Sequence, residues 1–314
     1  MRKIYLLLLL LLTLDIAVME EPWMYLLFAA EVVTCIVLFV QARLMWNGLE
    51  VGFSDKVQVM DFWRRRALDI KLDRGGKKTT RRAAVKLRMG YWQEQKKHSR
   101  KIYCGVSRIG EMKFAAKIPY CGLIKFDLEQ FWINDRLMVF FAGKKLSDSM
   151  LLFVVPGKDA LKIEYADAER NEDGSPEEPR EGSKASVKLD LTGIQEADQR
   201  VLGNFYVLLS ALVLGLLKCV SVVRVSWYDE WKQRSCCMEA TGLEECRQML
   251  MALYRMGLPD TEEAPETASI LEDDSDSPDF CLDLQLRWFR NEQLIYQFSA
   301  LELDTEMMRK SFTI

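Results

Sequence analysis

Histidine is almost absent: His98 is the only one among 314 residues. That excludes multi-histidine metal centres and leaves Ser-His-Asp or Cys-His chemistry a single candidate base. His98 lies between Lys97 and Ser99 in a basic stretch, where a protonated, solvated imidazole is the expected state. Net charge is almost absent too. Forty-three Lys and Arg against 46 Asp and Glu leave a formal −3, so the chain as a whole does not attract nucleic acid or acidic ligands. Phosphate-loop spacing is missing. Gly75-Gly76-Lys77-Lys78-Thr79 and Gly143-Lys144-Lys145 have Lys71 and Met138 where a P-loop needs its first glycine. No G-x-G-x-x-G or G-x-S-x-G occurs. The eight cysteines include no paired C-x-x-C. Cys236, Cys237 and Cys246, with Cys219, are the nearest approach to a cluster, and adjacent cysteines rarely chelate one ion together. These absences lead to the expectation of no catalytic residue, no metal and no cofactor.

Apolar residues, by contrast, are abundant and unevenly distributed. Ile4 to Met19 form one run with seven consecutive leucines, Leu6 to Leu12, and Trp23 to Val40 form a second beyond Glu20, Glu21 and Pro22. Each is near the ~20 residues a bilayer requires, so residues 1–46 read as a transmembrane helical hairpin. A cleaved secretory signal is the competing reading of the first run, but Asp15, Ile16, Ala17, Val18, Met19 offers no small-residue cleavage pair. Arg2 and Lys3 precede the first run, and Arg43, Lys56 and Arg64 to Arg66 follow the second, with only acids at the tip. The positive-inside rule then puts both ends, and the body of the chain, in the cytoplasm of a multi-pass membrane protein. Asp15 and Glu31 lie within the apolar runs, roughly 8 and 15 Å from the tip at the helical rise. A carboxylate at that depth must reach the interface, be protonated or meet a partner. They are read as intramembrane polar contacts, Glu31 being the candidate docking point for a membrane protein partner.

Between Arg43 and Lys101, 17 Lys and Arg face six acids. Polybasic segments beside a membrane attract anionic lipid headgroups, and Arg64, Arg65, Arg66, Lys77, Lys78, Arg81 and Arg82 are the expected lipid or phosphate contacts. The same charges also serve as a bare orientation signal. Nucleic acid is the weaker client, because no recognised binding module accompanies them. Acidic residues collect instead in 166–180 and 259–279, interspersed with Gly, Pro, Ser and Thr, as in solvated linkers.

Periodicity divides the rest. From Val85 to Leu191, short alternating or apolar runs (Lys101–Val106, Met112–Ile118, Arg136–Phe141, Leu151–Val155, Leu161–Tyr165, Ser186–Leu191) predict an antiparallel β-rich domain. Thr192 with Gln195 suggests a capping box opening a helix to about Lys218. Its half from Phe205 to Leu217 is apolar all round, so it is either a buried helix or a third crossing; Gln195, Glu196, Asp198 and Arg200 give it a wet start and favour burial. Ser221–Trp227 alternates, Leu243–Met256 has helical spacing, and Leu282–Trp288 and Gln293–Leu303 read as further strands. Trp227, Tyr228, Asp229, Glu230 and Trp231 could line a groove for carbohydrate or peptide, but read more simply as a strand end.

The expected protein is a membrane-anchored α+β chain. Residues 1–46 form the anchor, 47–84 a basic juxtamembrane segment, 85–191 a β-rich soluble domain, and 192–314 an α+β region with an acidic linker at 259–279. Its expected role is non-catalytic: assembly, scaffolding or recognition of an anionic lipid surface. The alternatives are a membrane-bound enzyme with dispersed carboxylates and thiols, or an accessory subunit of a transport or secretion complex.

Overall fold

The computed structural model describes residues 2–19, 21–46, 50–62, 67–73, 83–92, 100–105, 111–115, 118–134, 141–157, 161–165, 180–256, 278–299 and 311–313. The chain begins with two helices, α1 (Arg2–Met19) and α2 (Pro22–Trp46). Pro22 suits a first helical position, where its missing N–H has no partner to lose. Strands follow: β1 (Glu50–Phe53), β2 (Val57–Asp61), β3 (Ala67–Asp73), β4 (Ala83–Tyr91), β5 (Arg100–Gly105), β6 (Glu111–Ala115), β7 (Gly122–Asn134), β8 (Phe141–Val155), β9 (Lys162–Glu164) and β10 (Arg180–Asp190). Then come α3 (Gln199–Leu216), β11 (Val220–Asp229), β12 (Arg234–Ala240), α4 (Leu243–Tyr254), β13 (Phe280–Asp283), β14 (Arg287–Arg290), β15 (Gln293–Gln297) and β16 (Ser311–Thr313).

The elements make an α+β fold with mixed sheets. A five-stranded sheet has the order β2-β8-β7-β4-β5, antiparallel except where β2 runs parallel to β8. A six-stranded sheet has the order β12-β11-β10-β13-β14-β15, with β10 parallel to both β11 and β13. Within the expected β-rich region, β4, β5, β7 and β8 pair antiparallel as expected, and parallel pairing enters the region through β2, β9 and β10. Its last strand, β10, leaves that sheet to become the centre of the C-terminal one, because α3 supplies the crossover a parallel pair requires. Residues 50–73, read from sequence as a basic segment, contribute β1, β2 and β3. The expected strand at Arg136–Phe141 falls mostly outside the described residues.

Burial alternates as strands demand. Val85, Leu87 and Met89 of β4 are buried, while Lys86 and Arg88 turn outward to Glu129. Val223, Val225 and Trp227 of β11 are buried, as are Ala185, Val187 and Leu189 of β10.

α3 and α4 form a layer between the two sheets. On one side α3 touches β11 and α4 touches β12; on the other, α3 touches β7, and α4 touches β7 and β8. Gln199 donates to the Cys121 carbonyl at 2.9 Å, Arg255 lies 5.1 Å from the Phe153 ring centre, and Arg247 pairs with Asp61 at 2.6 Å. Tyr206 on α3 meets Tyr254 on α4 edge-to-face at 4.5 Å. A helix covered on both faces has no polar face to spare, which accounts for the apolar circumference of α3.

Two boundaries differ from the sequence reading. Thr192 and Gln195 do not cap the helix. The Thr192 hydroxyl donates to Asp190 Oδ1 at 2.6 Å, Gly193 has φ +81°, which a right-handed helix cannot accept, and Asp198 caps α3 through the Arg200 N–H. Leu282–Trp288 is not one strand either. Asp283 Oδ1 accepts the N–H groups of Gln285 and Arg287, and Leu286 sits at φ +63°, folding the chain back between β13 and β14.

Asp148 ties the start of the body together. It accepts from the Phe53 N–H at 2.8 Å and the Ser149 N–H at 3.0 Å, and it pairs with Lys56. Partial burial pushes its carboxyl up, but hydrogen bonds from Lys56 and Phe53 outweigh this and hold it below the usual range. Asp148→Ala strands the Phe53 N–H and is expected to cost about 1–3 kcal/mol. Because the folded-state pKa is depressed, this contribution is present above the ordinary aspartate pKa and disappears as pH falls through the lower, folded value. Urea unfolding of both proteins from pH 7 downward should show the gap closing below about pH 4.

Candidate functional site

The feature of largest extent is the apolar surface of the first two helices. Along α1, Leu7, Leu10, Leu11, Leu14 and Val18 are exposed; along α2, so are Trp23, Leu26, Val33, Ile36, Phe39 and Leu44. By length and composition, two described helices are able to cross a membrane: Pro22–Gln41 and Gln199–Leu216. Their surroundings are opposite. The first window is 11% buried inside the protein and the second 78%. The apolar surface of α3 is therefore covered by protein, as its wet start suggested, whereas that of α2 faces outward. The threonine hydroxyls within the exposed helices are satisfied locally. Thr13 donates to the Leu10 carbonyl at 2.7 Å and Thr34 to the Ala30 carbonyl at 2.8 Å, the bonding that makes a threonine tolerable in an apolar helix.

Asp15 is exposed on α1 and Glu31 half-buried on α2. The seven cations expected to meet phosphate, Arg64, Arg65, Arg66, Lys77, Lys78, Arg81 and Arg82, lie outside the described residues, as do His98 and nearly all of both acidic linkers. Gly143, Lys144 and Lys145 are not a loop; they belong to β8.

The carboxyl ends of parallel strands are where open α/β sheets usually place ligands, and here β11 and β13 run parallel to β10 on either side of it. Three aspartates end these strands, and each is engaged locally. Asp190 holds the Thr192 turn. Asp229 Oδ1 accepts the Trp231 and Lys232 N–H groups at 3.0 and 3.2 Å. Asp283, buried, pairs with Arg287 at 2.6 Å. The sequence-dense cluster Trp227–Trp231 is thus a strand end and its turn. Among the described residues, no group of three His, Cys, Asp or Glu is arranged to hold a metal ion.

Several of the described thiols are buried as small hydrophobes. Burial pushes Cys121 well up, raises Cys236 and Cys281, and moves Cys246 up to about 11 despite its contact with the Ser210 hydroxyl. A thiol nucleophile needs the opposite shift, so these four are poorly prepared for covalent chemistry. The sequence reading missed the mutual placement of β7 and β8, whose long pairing runs from Gly122 opposite Val154 to Asn134 opposite Phe141. Comparison of the chain with protein-family models and with curated proteins finds no match.

Proposed function

We propose that the chain is an integral membrane protein in which α1 and α2 anchor a cytosolic α+β body, and that the body serves in assembly, scaffolding or recognition of an anionic lipid surface without catalysis of its own. The observation that carries this reading is the contrast between two helices that are both long and apolar enough to cross a membrane, with mean hydropathies of 2.2 and 1.4. α3 is enclosed by two sheets, while α2 has a window of mean hydropathy 2.2 with 11% of it buried. A contiguous apolar band of that size calls for lipid or another apolar partner. Orientation rests on Arg2 and Lys3 in the first turn of α1 and Arg43 in the last turn of α2. On this reading Arg64, Arg65, Arg66, Lys77, Lys78, Arg81 and Arg82 neutralise headgroup phosphates, Asp15 reaches the interface, and Glu31 is the polar contact offered to a membrane partner.

The test is extraction of the full chain from membranes. High salt and alkaline carbonate are expected to leave it in the pellet, and detergent to release it. Recovery as a monodisperse soluble protein without detergent would overturn the reading. A cysteine introduced at position 175 should react with an impermeant maleimide only after the cells are opened, and labelling in intact cells would reverse the assigned side.

A further inference from the structure

The membrane reading leaves unassigned which part of the described body approaches the bilayer. β2 runs parallel to β8, Val57 opposite Leu151, and one residue earlier the Lys56 carbonyl accepts from the Leu151 N–H at 2.8 Å. Phe53 reaches Asp148. Stepping back along the chain toward α2 is therefore stepping back along β8 toward its start. α2 itself touches both β7 and β8. Three and four residues before Asp148, at roughly 10–13 Å along a strand, are Lys145 and Lys144, adjacent and exposed. Other lysines of this sheet are neutralised: Lys86 by Glu129 and Lys125 by Asp127. Lys144 and Lys145 have no carboxylate partner among the described residues. Trp132 of β7 stands opposite Gly143, and its ring lies so close that a Cβ on Gly143 would come within 2.9 Å of Nε1. The glycine thus leaves room for the indole at the same end of the hairpin.

An indole beside unpaired lysines, where an apolar helix joins the body, has the chemistry of a membrane interface. We propose that this end of the β7–β8 hairpin is a docking surface for an anionic bilayer, with Lys144 and Lys145 contacting headgroups and Trp132 lying at the interfacial level. The proposal rests on α2 being inserted in lipid. It adds a second, folded contact to the basic segment that precedes it in the chain.

The experiment uses the wild-type full chain in nanodiscs of phosphatidylcholine, with and without phosphatidylserine, and reads acylation rates of individual lysines by mass spectrometry. Lys188, exposed on β10, is the reference. Phosphatidylserine is expected to slow Lys144 and Lys145 about fivefold each, the attraction of one cation to anionic headgroups, and to leave Lys188 unchanged. Equal rates in the two lipids, or slowing shared by Lys188, would overturn the docking surface while leaving the anchor intact. The same slowing by inorganic phosphate in phosphatidylcholine discs would reassign the lysines to free phosphate and also overturn it. A chain that elutes apart from the discs would overturn the anchor and the docking surface together.

Discussion

Phe205→Ala is expected to remove about 3–5 kcal/mol from the stability of the body. Phe205 lies at the middle layer of the fold with no exposed surface, so truncation deletes a ring's worth of buried contacts and leaves a cavity that two flanking sheets cannot both collapse to fill. Against a typical total of about 5–15 kcal/mol, that is a large fraction. Urea titration of the full chain in mild detergent should show a lower midpoint with an unchanged slope. Leu294→Ala on β15, where the side chain is exposed, is the matched control and should stay within about 0.5 kcal/mol of wild type. A midpoint for Phe205→Ala equal to that of the control would mean that α3 is not held between protein layers.

Val33→Arg in α2 should leave that midpoint alone and act on a different equilibrium. Val33 is 57% exposed near the middle of the Pro22–Gln41 window. In a lipid-facing helix an arginine there costs about 2.5–3.5 kcal/mol of insertion free energy, on the order of a hundredfold in the insertion equilibrium. Glu31, two residues away, points elsewhere on the helix and does not neutralise it. The checks are the fraction resisting alkaline extraction, which should fall, and the urea midpoint of the folded body, which should not. Unchanged extraction would remove α2 from contact with lipid. The pair of substitutions separates two helices that both have the length and composition of a membrane span.

What the sequence could disclose follows from which interactions are local. The two N-terminal runs, the strand at Ser221–Trp227 and the helix from Leu243 carry their own periodicity, and the corresponding elements are α1, α2, β11 and α4. β7 and β12 were not legible. Gly122–Asn134 mixes Lys125, Asp127, Glu129 and Gln130 with apolar residues, and Arg234–Ala240 is short and polar at both ends, so each is fixed by its neighbours, β8 and β4 for the one and β11 for the other. The start of α3 misled because Thr192 and Gln195 have cap spacing, while the deciding facts are a positive φ at Gly193 and the competing Asp190 oxygen. For the candidate site, charge patterning singled out the basic segment, but the exposed pair Lys144 and Lys145 looked like a failed phosphate loop. Their relevance depends on where α2 meets β8, a contact between residues about a hundred positions apart in sequence.

The middle layer also sets a timetable for synthesis. The face of the five-stranded sheet that carries Leu123 and Phe153 is complete once Val155 has left the ribosome, but α3 and α4, which pack on the sheet, end at Tyr254, about a hundred residues later. At roughly 5–20 residues per second the delay is on the order of 5–20 s. Throughout that interval this face of the sheet waits for its covering layer, and its apolar side chains are open to water or to any apolar surface they meet.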